Sequence, residues 1–283
     1  MKFIKNTFAS IFCVIAIVSC SDESIIQDEN APGTNVTGNY FPSTVNDYWK
    51  YTVENIDDAT GETIVANDSL YVATQTASNF TLGVNDNMIA NGAMNGLLTS
   101  GELTRTDATL VLNGVLQLPQ GISDITDFEI NLDNVILYNV NANTGDVLST
   151  VANTLQQDFN GFPITINYTL STIAQGFSET LNLNGQNYND VTSTQLKLNL
   201  SVSTSIPVGP ISVDVSILDA QDVLVSNNYF AKDIGLVNSQ TNTMYEISAA
   251  AITALEAAGV TIDIPESSSS SNSQVLTNHM VTE

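Results

Sequence analysis

His279 is the only histidine in the chain, and it lies close to the last residue. A catalytic triad or a histidine-rich metal centre needs an imidazole held rigidly among partners. A segment expected to fray supplies neither. The sequence also lacks a Gly-x-Ser-x-Gly elbow, a His-Glu-x-x-His pair and a Gly-x-x-x-x-Gly-Lys phosphate loop. Carboxylates are the remaining source of chemistry, and there are 30 of them. Two acids at a set separation are enough to hydrolyse a glycosidic bond, so a glycosidase-like surface hydrolase is the enzymatic alternative. The competing reading is a solvated acidic surface. Asn139, Asn141, Asn143 and Asp146 put oxygen donors at alternate positions, a spacing suited to calcium. Gly145 falls one place late for a calcium loop and the closing bidentate acid is missing, so a plain β-turn competes. Asp57, Asp58 and Glu62 make a second weak candidate. No cofactor is implied.

The elements that would position such groups are strands. Leu196, Leu198, Leu200 and Val202 alternate with Lys197, Asn199, Ser201 and Ser203, which gives one dry face and one wet face. The turn Pro207-Val208-Gly209-Pro210 then leads into Ile211, Val213, Val215 and Ile217, expected to point inward. The same alternation runs through Trp49, Tyr51 and Val53, through Phe128, Ile130 and Leu132, and through Ile164, Ile166, Tyr168 and Leu170. Asn113-Gly114 reads as a hairpin turn between apolar runs, because both turn residues accept positive φ. Asn184-Gly185 reads as another. Residues 85–96 look like a loop or irregular edge, and 151–159 like a short helix or loop. Ser248 can cap one short helix over 248–258, which Gly259 ends. The serine run 266–273 reads as a flexible loop, and 274–281 as an edge strand or frayed tail.

Charge and cysteine usage bound the setting. The formal net charge is −24, which repels phosphate and excludes nucleic acid as a partner. Lys2 and Lys5 precede an apolar run from Phe8 to Val18, followed by Ile17-Val18-Ser19-Cys20. This is the layout of a secretory signal peptide. If it is removed with Cys13, the only thiol left is Cys20, so stability must come from the core rather than from disulfides.

Ile17-Val18-Ser19-Cys20 resembles the lipobox of bacterial lipoproteins. The resemblance implies that Cys20 becomes the first mature residue and carries the acyl lipid, palmitate among its chains. Ser21, Asp22 and Glu23 are similar to the surface-export signal of Bacteroidetes lipoproteins, and Ser21 after the cysteine is consistent with outer-membrane retention. Tyr40-Phe41-Pro42, Tyr48-Trp49-x-Tyr51 and the late segment 229–237 resemble a group of uncharacterised Bacteroidetes lipoproteins, and more weakly proteins with a LolA-like open barrel. The latter would imply a curved sheet that cradles lipid. Asp68-Ser69-Leu70 resembles the short O-glycosylation sequon of that phylum, which would make Ser69 a modified residue.

The expected organisation is a signal peptide over 1–19, a flexible acidic tether over 20–39, a mainly-β domain over 40–264 and a serine-rich tail over 265–283. The expected fold is one antiparallel curved sheet or open barrel with a short C-terminal helix, a β-sandwich being the alternative. The expected role is non-enzymatic binding or structure in the cell envelope, held to the outer membrane by the lipid, with an apolar ligand cradled in the sheet. Lipid, glycan and envelope protein remain open as ligands.

Overall fold

The computed structural model describes residues 36–118, 128–159, 162–183, 185–208, 210–257 and 265–282. Twelve strands follow in order: β1 (Tyr48–Asp57), β2 (Thr63–Gln75), β3 (Asn79–Val84), β4 (Glu102–Arg105), β5 (Thr109–Leu116), β6 (Ile130–Asn139), β7 (Val147–Phe159), β8 (Phe162–Leu183), β9 (Gln186–Val208), β10 (Ile211–Ala231), β11 (Gly235–Glu246) and β12 (Ser267–Met280). Helix α1 (Ala93–Leu98) lies between β3 and β4, and α2 (Ala249–Ala257) between β11 and β12. All strands join one antiparallel sheet in the order β6-β5-β4-β3-β2-β1-β12-β11-β10-β9-β8-β7.

That order makes a nearly closed barrel. The chain runs outward from β1 to one edge at β6, turns through residues 140–146, and returns from the other edge at β7 until β12 pairs with β1. At this seam the Ile136 N–H donates to Ser149 Oγ at 2.9 Å. Just before β6, Phe128 stacks on Tyr168 of β8. The expected curved antiparallel sheet is therefore present, and the sandwich alternative is not.

Strand alternation directs the core. Leu196, Leu198, Leu200 and Val202 are at most 4% exposed. Their burial contributes roughly 6–12 kcal/mol before chain entropy is counted. Leu198 pairs with Leu170 on one side and Leu224 on the other, so the dry face continues across three strands. The opposite face carries Lys197, Asn199, Ser201 and Ser203. Polar residues outside and apolar residues inside are the reverse of a lipid-spanning barrel. Among the described residues no helix is long and apolar enough to cross a membrane.

Several local expectations change. Asn113 and Gly114 lie inside β5, and the β4–β5 hairpin turns earlier, where Thr106 N–H donates to Thr109 O. Gly101 and Gly114 instead let two backbones meet, since a Cβ on Gly101 would collide with the Asn113 carbonyl and Gly114. Residues 151–159 belong to strand β7, and part of 85–96 forms helix α1. Val213 is exposed although it pairs with the buried Ile206, and register shifts further along β10 bring both Ile217 and Leu218 inward.

The largest correction concerns the serine run. It is the start of β12, which lies in the middle of the sheet between β1 and β11. The folded unit thus extends past the expected boundary at 264 through β12 (Ser267–Met280), so most of the expected tail is strand. Serine has little intrinsic strand preference, but two flanking ladders satisfy the backbone on both sides. The hydroxyls find local partners as well. Ser270 Oγ meets Thr243 Oγ1 at 2.6 Å, and Ser269 donates to Asp58 Oδ2 at 2.6 Å.

Candidate binding site at the open end of the barrel

One end of the barrel is shut by aromatic rings. Phe41 packs on Trp49, Phe80 and Phe230 with ring centroids 5.2, 5.8 and 6.4 Å away. Tyr138 lies 5.0 Å from Phe230 and 6.1 Å from Tyr40. Trp49 donates its indole N–H to the Ile234 carbonyl, and the Tyr51 hydroxyl donates to the Leu236 carbonyl at 2.9 Å. The Tyr-Phe-Pro opening and the late Ile-Gly-Leu-Val segment therefore close the sheet on each other. Gly235 stands at φ 106 with the Trp49 indole nitrogen 3.2 Å from where a Cβ would sit, so only glycine passes there without strain. Burial pushes the Tyr138 hydroxyl well above its ordinary range, and burial with the Asp190 and Asp233 carboxylates pushes Tyr40 up to about 12. These phenols stay neutral.

The other end opens into a cleft of about 860 Å3. Its apolar side is made by Ile64, Met88, Ile89, Leu97 and Leu116, and its polar side by Thr241, Thr243, Ser268, Ser270 and Asn272. Met88 and Ile89 are 73% and 91% exposed, and Ile64 is 57% exposed. Other large apolar side chains are exposed elsewhere, among them Val65, Val147 and Met244, but these three line one opening, and an apolar cluster at a cleft marks a binding surface where scattered residues do not.

A buried carboxylate fixes the segment that forms this rim. Asp68 points inward beside Tyr51 and is 2% exposed. Its Oδ1 accepts from Asn85 Nδ2 at 2.7 Å, Asn91 N at 3.0 Å and Asn91 Nδ2 at 2.8 Å. Its Oδ2 accepts from Gly92 N at 2.9 Å and Asn95 Nδ2 at 3.0 Å. Burial alone would raise its pKa, but the hydrogen bonds from Asn91, Asn95, Asn85 and Gly92 outweigh it and hold the carboxyl below the usual range. Gln274 Oε1 accepts from Met94 N at 2.6 Å and Asn95 N at 3.3 Å, so α1 is pinned to β12 too.

The rim begins in a strained turn. Asn85, Asp86 and Asn87 have φ of 50, 56 and 69°, three consecutive left-handed residues without a glycine. Asparagine and aspartate tolerate this region better than other side chains. The turn is held by Asn85 between Asp68 and the Ser69 N–H, and by the Tyr71 hydroxyl donating to Asn87 Oδ1 at 3.1 Å. Met88 and Ile89 follow directly.

Below the cleft the inner wall carries a polar belt. Ser226, Asn228, Ser239 and Thr241 are buried and bond to one another: Ser239 donates to Asn228 Oδ1 at 2.8 Å and Thr241 to Ser226 Oγ at 2.8 Å. Thr241 joins this belt to the cleft.

The residues singled out in the sequence are dispersed. Asn139 Oδ1 accepts from Asn141 N, Asn141 Oδ1 from Val36 N, and Asp146 Oδ2 from Asn143 N and Nδ2. The oxygens turn to backbone amides rather than to a common centre, which is turn chemistry. Among the described residues no three His, Cys, Asp or Glu side chains gather as metal ligands. Ser69 is half-buried on the outer face of β2, while Asp68 beside it serves the interior. His279 is exposed and paired in register with Trp49. Among the described residues the buried acids are Asp47 and Asp68, and both are consumed by structural hydrogen bonds: Asp47 accepts from Thr44 N and Thr282 N. Asp57 at the cleft accepts from the Ala59 and Thr60 amides, and Thr60 N–H bonding leads in lowering its pKa. An acid held ionised is a poor proton donor for glycoside cleavage.

Cys20, Ser21, Asp22 and Glu23 lie outside the described residues, as do the expected signal peptide and most of the tether. The cleft itself had no motif in the sequence. Its one local signal is Met88-Ile89, an apolar pair inside an Asn- and Gly-rich stretch. No family model, curated protein or solved structure matches the chain.

Proposed function

We propose that this chain is a lipid-anchored protein of the bacterial outer membrane that binds an amphipathic ligand without chemically altering it. The observation that carries the binding role is the cleft of about 860 Å3 with exposed apolar side chains along one side and hydroxyls and amides along the other. That volume is within the range of small-molecule sites. The buried acids of the barrel are tied up in structure, which favours binding over hydrolysis. The anchor rests on the order of charge, apolar run, small residue and Cys20 in the leader. Val36, the first described residue, bonds to Asn141 at the aromatic end.

Two outcomes follow. Cys20→Ser is expected to move the protein from the membrane fraction to the soluble fraction of lysed cells, and unchanged membrane association would refute the anchor. Native mass spectrometry of protein purified without detergent exchange is expected to show adducts of lipid-like mass that organic extraction removes. A bare polypeptide mass at every collision energy would argue against a resident amphiphile.

A further inference from the structure

We infer that the ligand of this cleft carries an uncharged, hydroxyl-bearing head group, and that the cleft rejects anionic amphiphiles. The inference rests on the binding role proposed above and adds a ligand class to it. Its basis is the chemistry of the lining. Asp57 and Glu62 are the only charged residues there, and no Lys, Arg or His joins them among the described residues. Sites for carboxylates or phosphates supply guanidinium, ammonium or a row of free amides. Here an anion would meet two carboxylates, on a chain of net charge −24, with no cation to offset them.

The polar side has a different character. Thr243, Ser268 and Ser270 each both donate and accept and come from adjacent strands facing one opening, with Thr243 and Ser270 bonded to each other; Thr241 and Asn272 line it as well, held by Ser226 and by Asn55, Asn91 and Ala93. A neutral polyol offers the same duality, so donors and acceptors can be matched without burying a charge. Across the cleft, Ile64, Met88, Ile89 and Leu97 offer an aliphatic surface. Methionine adapts to chains of differing shape. The two sides fix the orientation: alkyl chain along the Met88–Ile89 rim, hydroxyls toward Thr243 and Ser270. A cationic head would satisfy the carboxylates but leave the hydroxyl wall unused.

The test is calorimetric titration of the mature protein with three octyl amphiphiles below their micelle concentrations: octyl glucoside, octanoate and octyltrimethylammonium. Octyl glucoside is expected to bind at least tenfold more tightly than octanoate and more tightly than octyltrimethylammonium. Asp57→Asn combined with Glu62→Gln is expected to bring octanoate within about threefold of octyl glucoside, and Ser270→Ala to weaken octyl glucoside alone. Thermal melts of both variants guard against misfolding. Octanoate binding as tightly as octyl glucoside overturns the head-group inference and leaves the binding role intact. Preference for octyltrimethylammonium also overturns it, in favour of the carboxylates as the recognition element. Failure of all three to bind removes the binding role itself.

Discussion

Replacing Asp68 by alanine is expected to destabilise the protein by roughly 3–5 kcal/mol, read from urea unfolding followed by circular dichroism. The carboxylate accepts five hydrogen bonds, two of them from the backbone amides of Asn91 and Gly92. Its removal strands the Gly92 amide and the Asn95 side-chain amide, which are buried, and loosens Asn85 and Asn91 at the surface. The loss should be felt first in the rim, so protease cleavage near Met88 should accelerate before global unfolding. The acid response gives an independent check. The folded pKa of Asp68 lies below its ordinary value, so its contribution is complete above about pH 4 and disappears as pH falls through the folded pKa. Stability should therefore drop steeply in that acidic window, and the alanine variant should show a shallower slope there. Equal slopes would mean that Asp68 is not the clamp.

Trp49→Ala should cost about as much, on the order of 3–5 kcal/mol. The indole is fully buried against Phe41 and donates to the Ile234 carbonyl. Truncation leaves a void beneath the aromatic floor and an unpaired carbonyl beside Gly235. Trp49 is the only tryptophan, so the variant must be followed by circular dichroism rather than by fluorescence. A loss of under about 1 kcal/mol would show that the floor closes without it. Trp49 pairs with Leu70 and Asp68 with Tyr51, two positions apart on the β1–β2 ladder, so the two effects should couple rather than add.

The long strands were readable because one of their faces is dry. Period-two alternation in Leu196, Leu198, Leu200 and Val202 fixes orientation, and a slip by one residue would expose all of them. The first half of β12 was unreadable for the same reason reversed: Ser267 to Ser271 are all alike, so no alternation distinguishes inside from outside. Only the ladders on both sides make it a strand, and those partners are far away in sequence. Helix α1 is short and has no side-chain cap at Gly92, so it left no start signal. Its anchors lie elsewhere, on Asp68 and Gln274. Asp68 drew notice as part of a modification sequon, while its hydrogen-bond partners are 17 to 27 positions away. The cleft combines residues near 57, 89, 116, 242 and 270, and separations of that kind carry no spacing rule.

The placement of β12 has a consequence for timing. Neighbouring strands elsewhere follow one another along the chain, so most of the sheet can grow hairpin by hairpin as the polypeptide emerges. The pairing of β1 with β12 is different, for it joins Tyr48 to Met280. A contact over that span is slow to form because a very long loop must close. During synthesis, β1 and β11 must therefore wait with bare edges until the serine strand arrives. A serine-rich last strand is well suited to that interval: it stays hydrated and unattractive to other unpaired edges, and acquires its structure only when both neighbours are in place.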